Sequence, residues 1–313
     1  MKIKKLLTFI IAVLMSVSAF SLVACGGKDK GDNDNGLKYT ENANNTYSVS
    51  GYEGESTVVV IPESKDGKAV TKISANAFAE MGITEITIPS SIIEIGNGAF
   101  GSCSKLTKVN YGGTVDNWAV ITFSNEDANP IRYSKNLTIG GNLVTSITFT
   151  TATEVKDYAF MDYTPLTTLN LGESVVNVGI SAFDGCSKLD DLTFGSNVEY
   201  LAFRAFCNCS SLTSVEFNAG IKMLDNESFR YCTKLESVFI PASLTVINKA
   251  SFNYDGQLRS AIFEVTEGWF VSANESASFG EEIDPELLAD PLEAAALLSV
   301  KTYNRDYFWK RAE

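Results

Sequence analysis

A phenylalanine that returns every 23 residues constrains this chain more than any other feature. Phe160, Phe183, Phe206, Phe229 and Phe252 are each 23 residues apart, and Phe78 and Phe100 precede them 22 apart. A few positions after each one, three apolar residues follow at fixed spacing: Ile83/Ile86/Ile88, Leu106/Val109/Tyr111, Leu166/Leu169/Leu171, Leu189/Leu192/Phe194, Leu212/Val215/Phe217, Leu235/Val238/Ile240 and Leu258/Ala261/Phe263. Val144/Ile147/Phe149 has the same form ahead of Phe160. The last two apolar residues of each set alternate with polar ones, which is the period of a strand with one buried face. A unit this short cannot enclose a core, so each copy must bury its apolar edge against the copies before and after it. The expected fold is a repeat solenoid with a parallel β-sheet on one face and short helical or irregular return segments. Eight strands at about 4.8 Å spacing would make a sheet on the order of 35 to 40 Å long.

The residues between and just before the last two apolar positions should point outward. In order they are Glu85/Thr87, Lys108/Asn110, Ser146/Thr148, Thr168/Asn170, Asp191/Thr193, Ser214/Glu216, Ser237/Phe239 and Ser260/Ile262. Most are small and hydroxylated or amidic, so a partner would cost them little rotamer entropy on contact. This face is the candidate binding surface, with Lys108, Asn110, Thr148, Asn170, Asp191, Thr193, Glu216, Phe239 and Ile262 as its candidate contacts. Phe239 and Ile262 should sit side by side. They read either as a binding hot spot or as a patch covered by the C-terminal segment.

Other marks recur with the period. An Ala or Ser precedes most of the phenylalanines, a Cys often follows three residues later, and a Pro closes some strands, as in Ile88-Pro89 and Ile240-Pro241. Over roughly residues 46 to 270 this pattern resembles the BspA-like leucine-rich-repeat surface proteins. Tyr111-Gly112-Gly113-Thr114 through Trp118 is similar to that family's inter-repeat insertion, and Gly268-Trp269 with Tyr307-Phe308-Trp309-Lys310-Arg311 is similar to its C-terminal ending. The resemblance implies a surface or secreted protein associated with adhesion and contact between cells.

The N-terminus has the form of an export signal. Lys2, Lys4 and Lys5 precede an apolar run from Leu6 to Val23 that closes on Leu22-Val23-Ala24-Cys25. That ending resembles the lipobox of bacterial lipoproteins, which implies a diacylglyceryl group on Cys25 as the membrane anchor. Residues 1–24 are accordingly read as signal peptide and 25–45 as lipidated cysteine and flexible linker. The solenoid is assigned to 46–263 with an insertion at about 112–143, and a C-terminal cap containing helices to 264–313. Asp284-Pro285 and Asp290-Pro291 each place an N-capping residue before a proline suited to a first helical turn.

Little in the chain could do chemistry. It contains no histidine, which excludes Ser-His-Asp and Cys-His nucleophiles and histidine-ligated zinc. Ser102-Cys103-Ser104-Lys105 matches a serine-nucleophile motif, but later repeats carry related turns such as Gly185-Cys186-Ser187-Lys188, so it reads as a repeat turn. Cys103, Cys186, Cys209 and Cys232 share one repeat position and Cys207 lies beside it. They read as buried thiols, with a disulfide or a four-thiolate site of Cys186, Cys207, Cys209 and Cys232 as the alternatives. Trp118, Trp269 and Trp309 lie outside the regular repeats; each either fills a local core or, for Trp118, offers an aromatic contact to a ligand. With 25 Lys and Arg against 38 Asp and Glu the net charge is −13, which disfavours nucleic acid as a partner. The expectation is a non-catalytic surface lipoprotein without metal or cofactor that binds an extracellular protein. The alternatives are a glycan-capturing module and a structural envelope protein.

Overall fold

The computed structural model describes residues 35–276, 280–299 and 306–312. Cys25 and the segment read above as a signal peptide lie outside them. The repeat folds into stacked coils, each contributing one strand to a face ladder and a second, two-residue strand to a side ladder. In the face ladder, parallel strands pair residue for residue at the repeat spacing: Leu169 stands opposite Leu192, and Val215 opposite Val238, which stands opposite Ala261. The side ladder runs through Glu154–Val155, Asn177–Val178, Tyr200–Leu201, Met223–Leu224 and Val246–Ile247. Its strands are two residues long with one buried position each, too short for alternation to betray them in the sequence.

The phenylalanines form the spine between the two ladders. Phe160, Phe183, Phe206, Phe229 and Phe252 stack in sequence with centroids 5.2 to 5.7 Å apart and planes within 8° of parallel. Phe78 and Phe100 repeat the arrangement at 5.3 Å. Each spine residue is flanked by tight turns that demand left-handed backbone. Tyr158, Ser181, Arg204, Glu227 and Ala250, two residues before it, all have positive φ, as do Asp162, Gly185, Asn208, Tyr231 and Tyr254, two residues after. Only Gly185 adopts this conformation without steric cost.

The face is not one continuous sheet. Strands Val58–Val60, Glu85–Ile88, Lys108–Tyr111 and Leu137–Ile139 form a first parallel run, closed by an antiparallel hairpin to Asn142–Leu143. Ser146–Thr148, Thr168–Asn170 and Asp191–Thr193 form a second, and Ser214–Glu216, Ser237–Ile240 and Ser260–Phe263 a third. Between the second and third runs the side ladder alone carries the strand pairing, since Asn177–Val178 through Val246–Ile247 continue unbroken.

The insertion acts as a splice between coils. It holds helix α1 (Val115–Ala119), capped by Thr114, and helix α2 (Ile131–Ser134). Where it interrupts the ladders, its side chains satisfy the backbone of the next coil. Asp116 accepts hydrogen bonds from the backbone N–H of Thr150, Thr151 and Ala152, each at 2.8 Å. Asn129 Nδ2 donates to the carbonyls of Tyr158 and Ala159. Burial opposes ionisation of Asp116, but the backbone donors Thr151, Ala152 and Thr150 outweigh it and hold the carboxyl below its ordinary range. Asp116→Ala should therefore cost about 2 to 4 kcal/mol in urea denaturation, because three amides lose their acceptor. Because the folded pKa is depressed, that contribution is present above about pH 4 and fades as pH falls through it. Equal denaturation midpoints for variant and parent at pH 7 would refute this.

The N-terminal end differs from the sequence expectation, and the C-terminal end adds strand pairing to it. The linker read as extending to residue 45 stops earlier, because Leu37–Glu41 pairs antiparallel with Tyr47–Tyr52. The run Leu37-Lys38-Tyr39 supplies a buried leucine and a tyrosine edge-on to Tyr47 at 6.1 Å, enough apolar surface to seat one capping strand. At the other end helices α3 (Pro285–Ala289) and α4 (Pro291–Ser299) form at the two Asp-Pro steps. Asp284 accepts from Glu286 N–H, and Asp290 from Leu292 and Glu293 N–H. The cap is also part of the side ladder: Phe308–Arg311 pairs antiparallel with Val246–Ile247 and with Trp269–Ser272. Trp269 and Trp309 are buried in it, their rings 6.3 Å apart.

Candidate functional site

The outward positions line up as the repeat spacing predicts. Lys108 stands opposite Glu85, and Asn110 opposite Thr87 on one side and Thr138 on the other. Thr148, Asn170 and Thr193 form one row with Asp191 in the row beside it. Glu216, Phe239 and Ile262 form another.

Their chemistry divides the face in two. At the N-terminal end the polar groups satisfy one another. Asn110 Nδ2 donates to Glu85 Oε1 at 2.6 Å, Lys108 Nζ lies 3.2 Å from the same oxygen, and Thr138 Oγ1 donates to Asn110 Oδ1. Glu85 is held below the ordinary glutamate range by Asn110 first and Lys108 second. Lys108 and Asn110 are thus already committed to neighbours, and a ligand would have to displace those contacts. Further along, Thr148, Asp191, Thr193 and Glu216 are exposed and make no side-chain hydrogen bond among the described residues. Asn170 spends its carbonyl oxygen on Gly172 N–H, which leaves its amide nitrogen for a partner.

The apolar end of the face stays open. Ile262 is 50% exposed and Phe239 half-buried, side by side on paired strands. Helix α4 packs against the Ser260–Phe263 strand without covering Ile262. The reading in which the cap folds over this patch is therefore corrected, because the cap continues the side ladder and leaves the face to solvent. Val58 and Val60, at 50% and 54% exposure, make a second apolar strip at the other end. Their strand has the alternation of the later repeats but no phenylalanine before it to mark it.

Trp118 is not a ligand platform. It is fully buried, its Nε1–H donates to the Ala159 carbonyl at 2.8 Å, and its ring sits edge-on to Tyr111 at 5.1 Å. An aromatic contact to a ligand at this residue is overturned: the interrupted ladder leaves the Ala159 carbonyl in need of a donor, and the indole supplies it.

The five cysteines among the described residues are unbridged and buried. Cys103, Cys186, Cys209 and Cys232 each donate Sγ–H to the carbonyl of the spine phenylalanine one coil back, at 3.0 to 3.4 Å. Burial pushes Cys103 up to about 11 and Cys207 up to about 12, so neither is a ready thiolate nucleophile or metal ligand. Among the described residues no cluster of Cys, Asp or Glu is arranged to hold a metal ion, and no helix is long and apolar enough to cross a membrane.

One surface feature escaped the sequence reading. Tyr231 and Tyr254 occupy equivalent turns of successive coils and stack with centroids 4.7 Å apart. The signal was available as two tyrosines at the repeat spacing, two residues after Phe229 and Phe252.

A family model described as the BspA type leucine rich repeat region matches residues 71–146 and 153–267 in six copies, which is more than half of the chain. The chain belongs to this family. Solved structures similar to this BspA-type chain include a leucine rich cell surface protein from Faecalibacterium prausnitzii A2-165, at 20% identity over 77% of this chain and 78% of that one, with a TM-score of 0.45. A leucine-rich repeat protein from Bacteroides ovatus ATCC 8483 is 22% identical over 72% of this chain and 69% of its own, with a TM-score of 0.46. The T. pallidum leucine rich repeat protein is 20% identical over 71% of this chain and 88% of its own, with a TM-score of 0.41. No curated protein matches the chain at a significant level.

Proposed function

We propose that this BspA-type solenoid is a non-catalytic surface protein that binds an extracellular protein through the C-terminal two runs of its face, from Thr148 to Ile262. The observation that carries this is the row Glu216, Phe239 and Ile262, in which an exposed carboxylate adjoins two uncovered apolar side chains. An uncovered apolar anchor bordered by uncommitted polar groups is a usual make-up of a protein-binding hot spot. The Thr, Ser and Asn side chains along the second run would form the rim. Display outside the cell rests on the export signal, with Cys25 carrying the diacylglyceryl anchor, and is consistent with a similar protein described as a cell surface protein.

The test is label-free interferometry of the chain against host matrix proteins and mucins at physiological salt. We expect at least one protein to bind, and Phe239→Asp with Ile262→Asp to weaken it about tenfold or more. Lys108→Ala should change affinity less than about twofold, since that side chain is engaged with Glu85. Equal loss from Lys108→Ala and from Phe239→Asp would place the contact elsewhere on the face. The anchor is tested separately: Cys25→Ala should abolish incorporation of labelled fatty acid.

A further inference from the structure

The turn that follows the spine phenylalanine is left-handed in coil after coil, and most coils fill it with a polar residue or glycine. Glu80, Ser102, Asp162, Gly185 and Asn208 hold the position in five of them. The last two regular coils place tyrosine there instead, at φ 64° for Tyr231 and 66° for Tyr254. A bulky ring in left-handed backbone is disfavoured locally, here as at Tyr158 ahead of Phe160. The core does not require these two rings, since Phe229 and Phe252 of the same coils already fill it.

The two rings lie within 10° of parallel, and Tyr254, the end of the stack, is 47% exposed. The Arg230 guanidinium is 4.7 Å from one ring centroid and 5.2 Å from the other. Arg230 also donates to the Tyr231 hydroxyl at 3.2 Å and to Glu227 Oε1 at 2.7 Å. One coil back along the same ridge, Asn208 Nδ2 donates to Asp184 Oδ1 and Arg204 Nε lies 3.0 Å from Asp184 Oδ2. Arg230 is thus matched by Glu227, and Arg204 by Asp184.

We infer that the Tyr231–Tyr254 stack, with Arg230 and Glu227 beside it, is a binding site for a neutral carbohydrate. A flat aromatic surface takes the apolar C–H face of a pyranose ring, and paired planar charged groups at its margin present both donors and acceptors to neighbouring sugar hydroxyls. The balanced local charge gives no attraction to a polyanion, and the acidic chain as a whole repels one. Because the rings stack face to face, the surface on offer is one outer ring face, on Tyr254, which is far smaller than the roughly 800 Å² per partner that a stable protein interface needs. This site is separate from the sheet face proposed above and does not depend on it.

The test is calorimetry and saturation-transfer NMR on the full chain with linear neutral gluco-, manno- and galacto-configured tetrasaccharides, and a tetra-uronide as the anionic control. At least one neutral sugar should bind in the high micromolar to low millimolar range, as is reasonable for about −4 to −6 kcal/mol from a small exposed site. Tyr254→Gly should weaken it about tenfold or more, whereas Tyr254→Phe, which keeps the ring, should stay within about threefold. Glycine favours the positive φ at this position, so the Tyr254→Gly chain should fold normally and its loss of binding should not reflect unfolding. Phe239→Asp should leave sugar binding unchanged, which keeps the two sites distinguishable. The inference is overturned by lack of binding of every neutral sugar, by a tetra-uronide that binds as tightly, or by a folded Tyr254→Gly chain with parental affinity.

Discussion

Phe206→Ala lowers stability by about 3 to 5 kcal/mol, the range for deleting a large aromatic side chain from a packed interior. The ring is fully buried and stacks on Phe183 at 5.2 Å and on Phe229 at 5.3 Å, with the Phe194 ring edge-on beside it at 6.1 Å. In a globular domain such a cavity would weaken one core. In a solenoid each coil touches only its neighbours, so a cavity in the middle also weakens the coupling between the two halves. The tryptophans report on this, because Trp118 lies on the N-terminal side of Phe206 and Trp269 and Trp309 lie on the C-terminal side. Urea unfolding of the variant should therefore show Trp118 and the cap tryptophans with separated midpoints when each is read in a chain whose other tryptophans are phenylalanine. A loss under about 1 kcal/mol would mean that the spine carries less of the stability than its burial implies.

From Phe160 to Phe252 the spine, its face strands and their register were legible in the sequence because one position per coil is a phenylalanine at a constant 23-residue spacing. Leu169, Leu192, Val215 and Val238 could be placed on the inner side, and Thr193 and Glu216 on the outer, from alternation alone. The side ladder was not legible, since strands such as Tyr200–Leu201 expose one residue and bury one, a pattern any turn can imitate. The insertion left two readings of Trp118 open for a different reason. An irregular segment with a tryptophan looks like a loop available to ligands, whereas here Asp116, Trp118 and Asn129 take up the backbone groups that the broken ladder leaves without partners. That need arises only once the next coil is in place, so it is not visible in the segment's own residues. Likewise Leu37 and Tyr39 are too few to suggest a strand until Tyr47–Tyr52 offers an edge to pair with. The candidate contacts Lys108 and Asn110 were correctly placed on the face, but only the register revealed that Glu85 had already engaged both.

The thiol column ends in an anomaly with a large expected effect. Cys186, Cys209 and Cys232 each fill a small buried space and give a hydrogen bond to the coil before, and the next coil puts Asp255 at the same position. Asp255 is fully buried, and neither carboxylate oxygen has a hydrogen-bond partner among the described residues. Burial pushes its carboxyl up to about 9, so the folded protein holds it neutral at pH 7. In the unfolded chain it ionises near its ordinary value of 3.8. The folded state therefore binds one more proton than the unfolded state between these two values, and stability falls as pH rises from about 4 to about 9. At pH 7 the accumulated cost is on the order of 4 kcal/mol, at about 1.4 kcal/mol per pH unit. Asp255→Cys gives the last coil the residue of its neighbours, with a thiol placed to donate to the Phe229 carbonyl and little tendency to ionise. The variant should be more stable than the parent by about 2 to 4 kcal/mol at pH 7, and the gap should close toward pH 4. Asp255→Asn, which keeps the shape but cannot ionise, should remove the same pH dependence while gaining less, because its amide remains without a partner. Chemical denaturation of the three proteins from pH 4 to pH 9 separates these effects. Parallel stability curves for parent and Asp255→Asn would show that the carboxyl is ionised in the folded protein and reached by solvent.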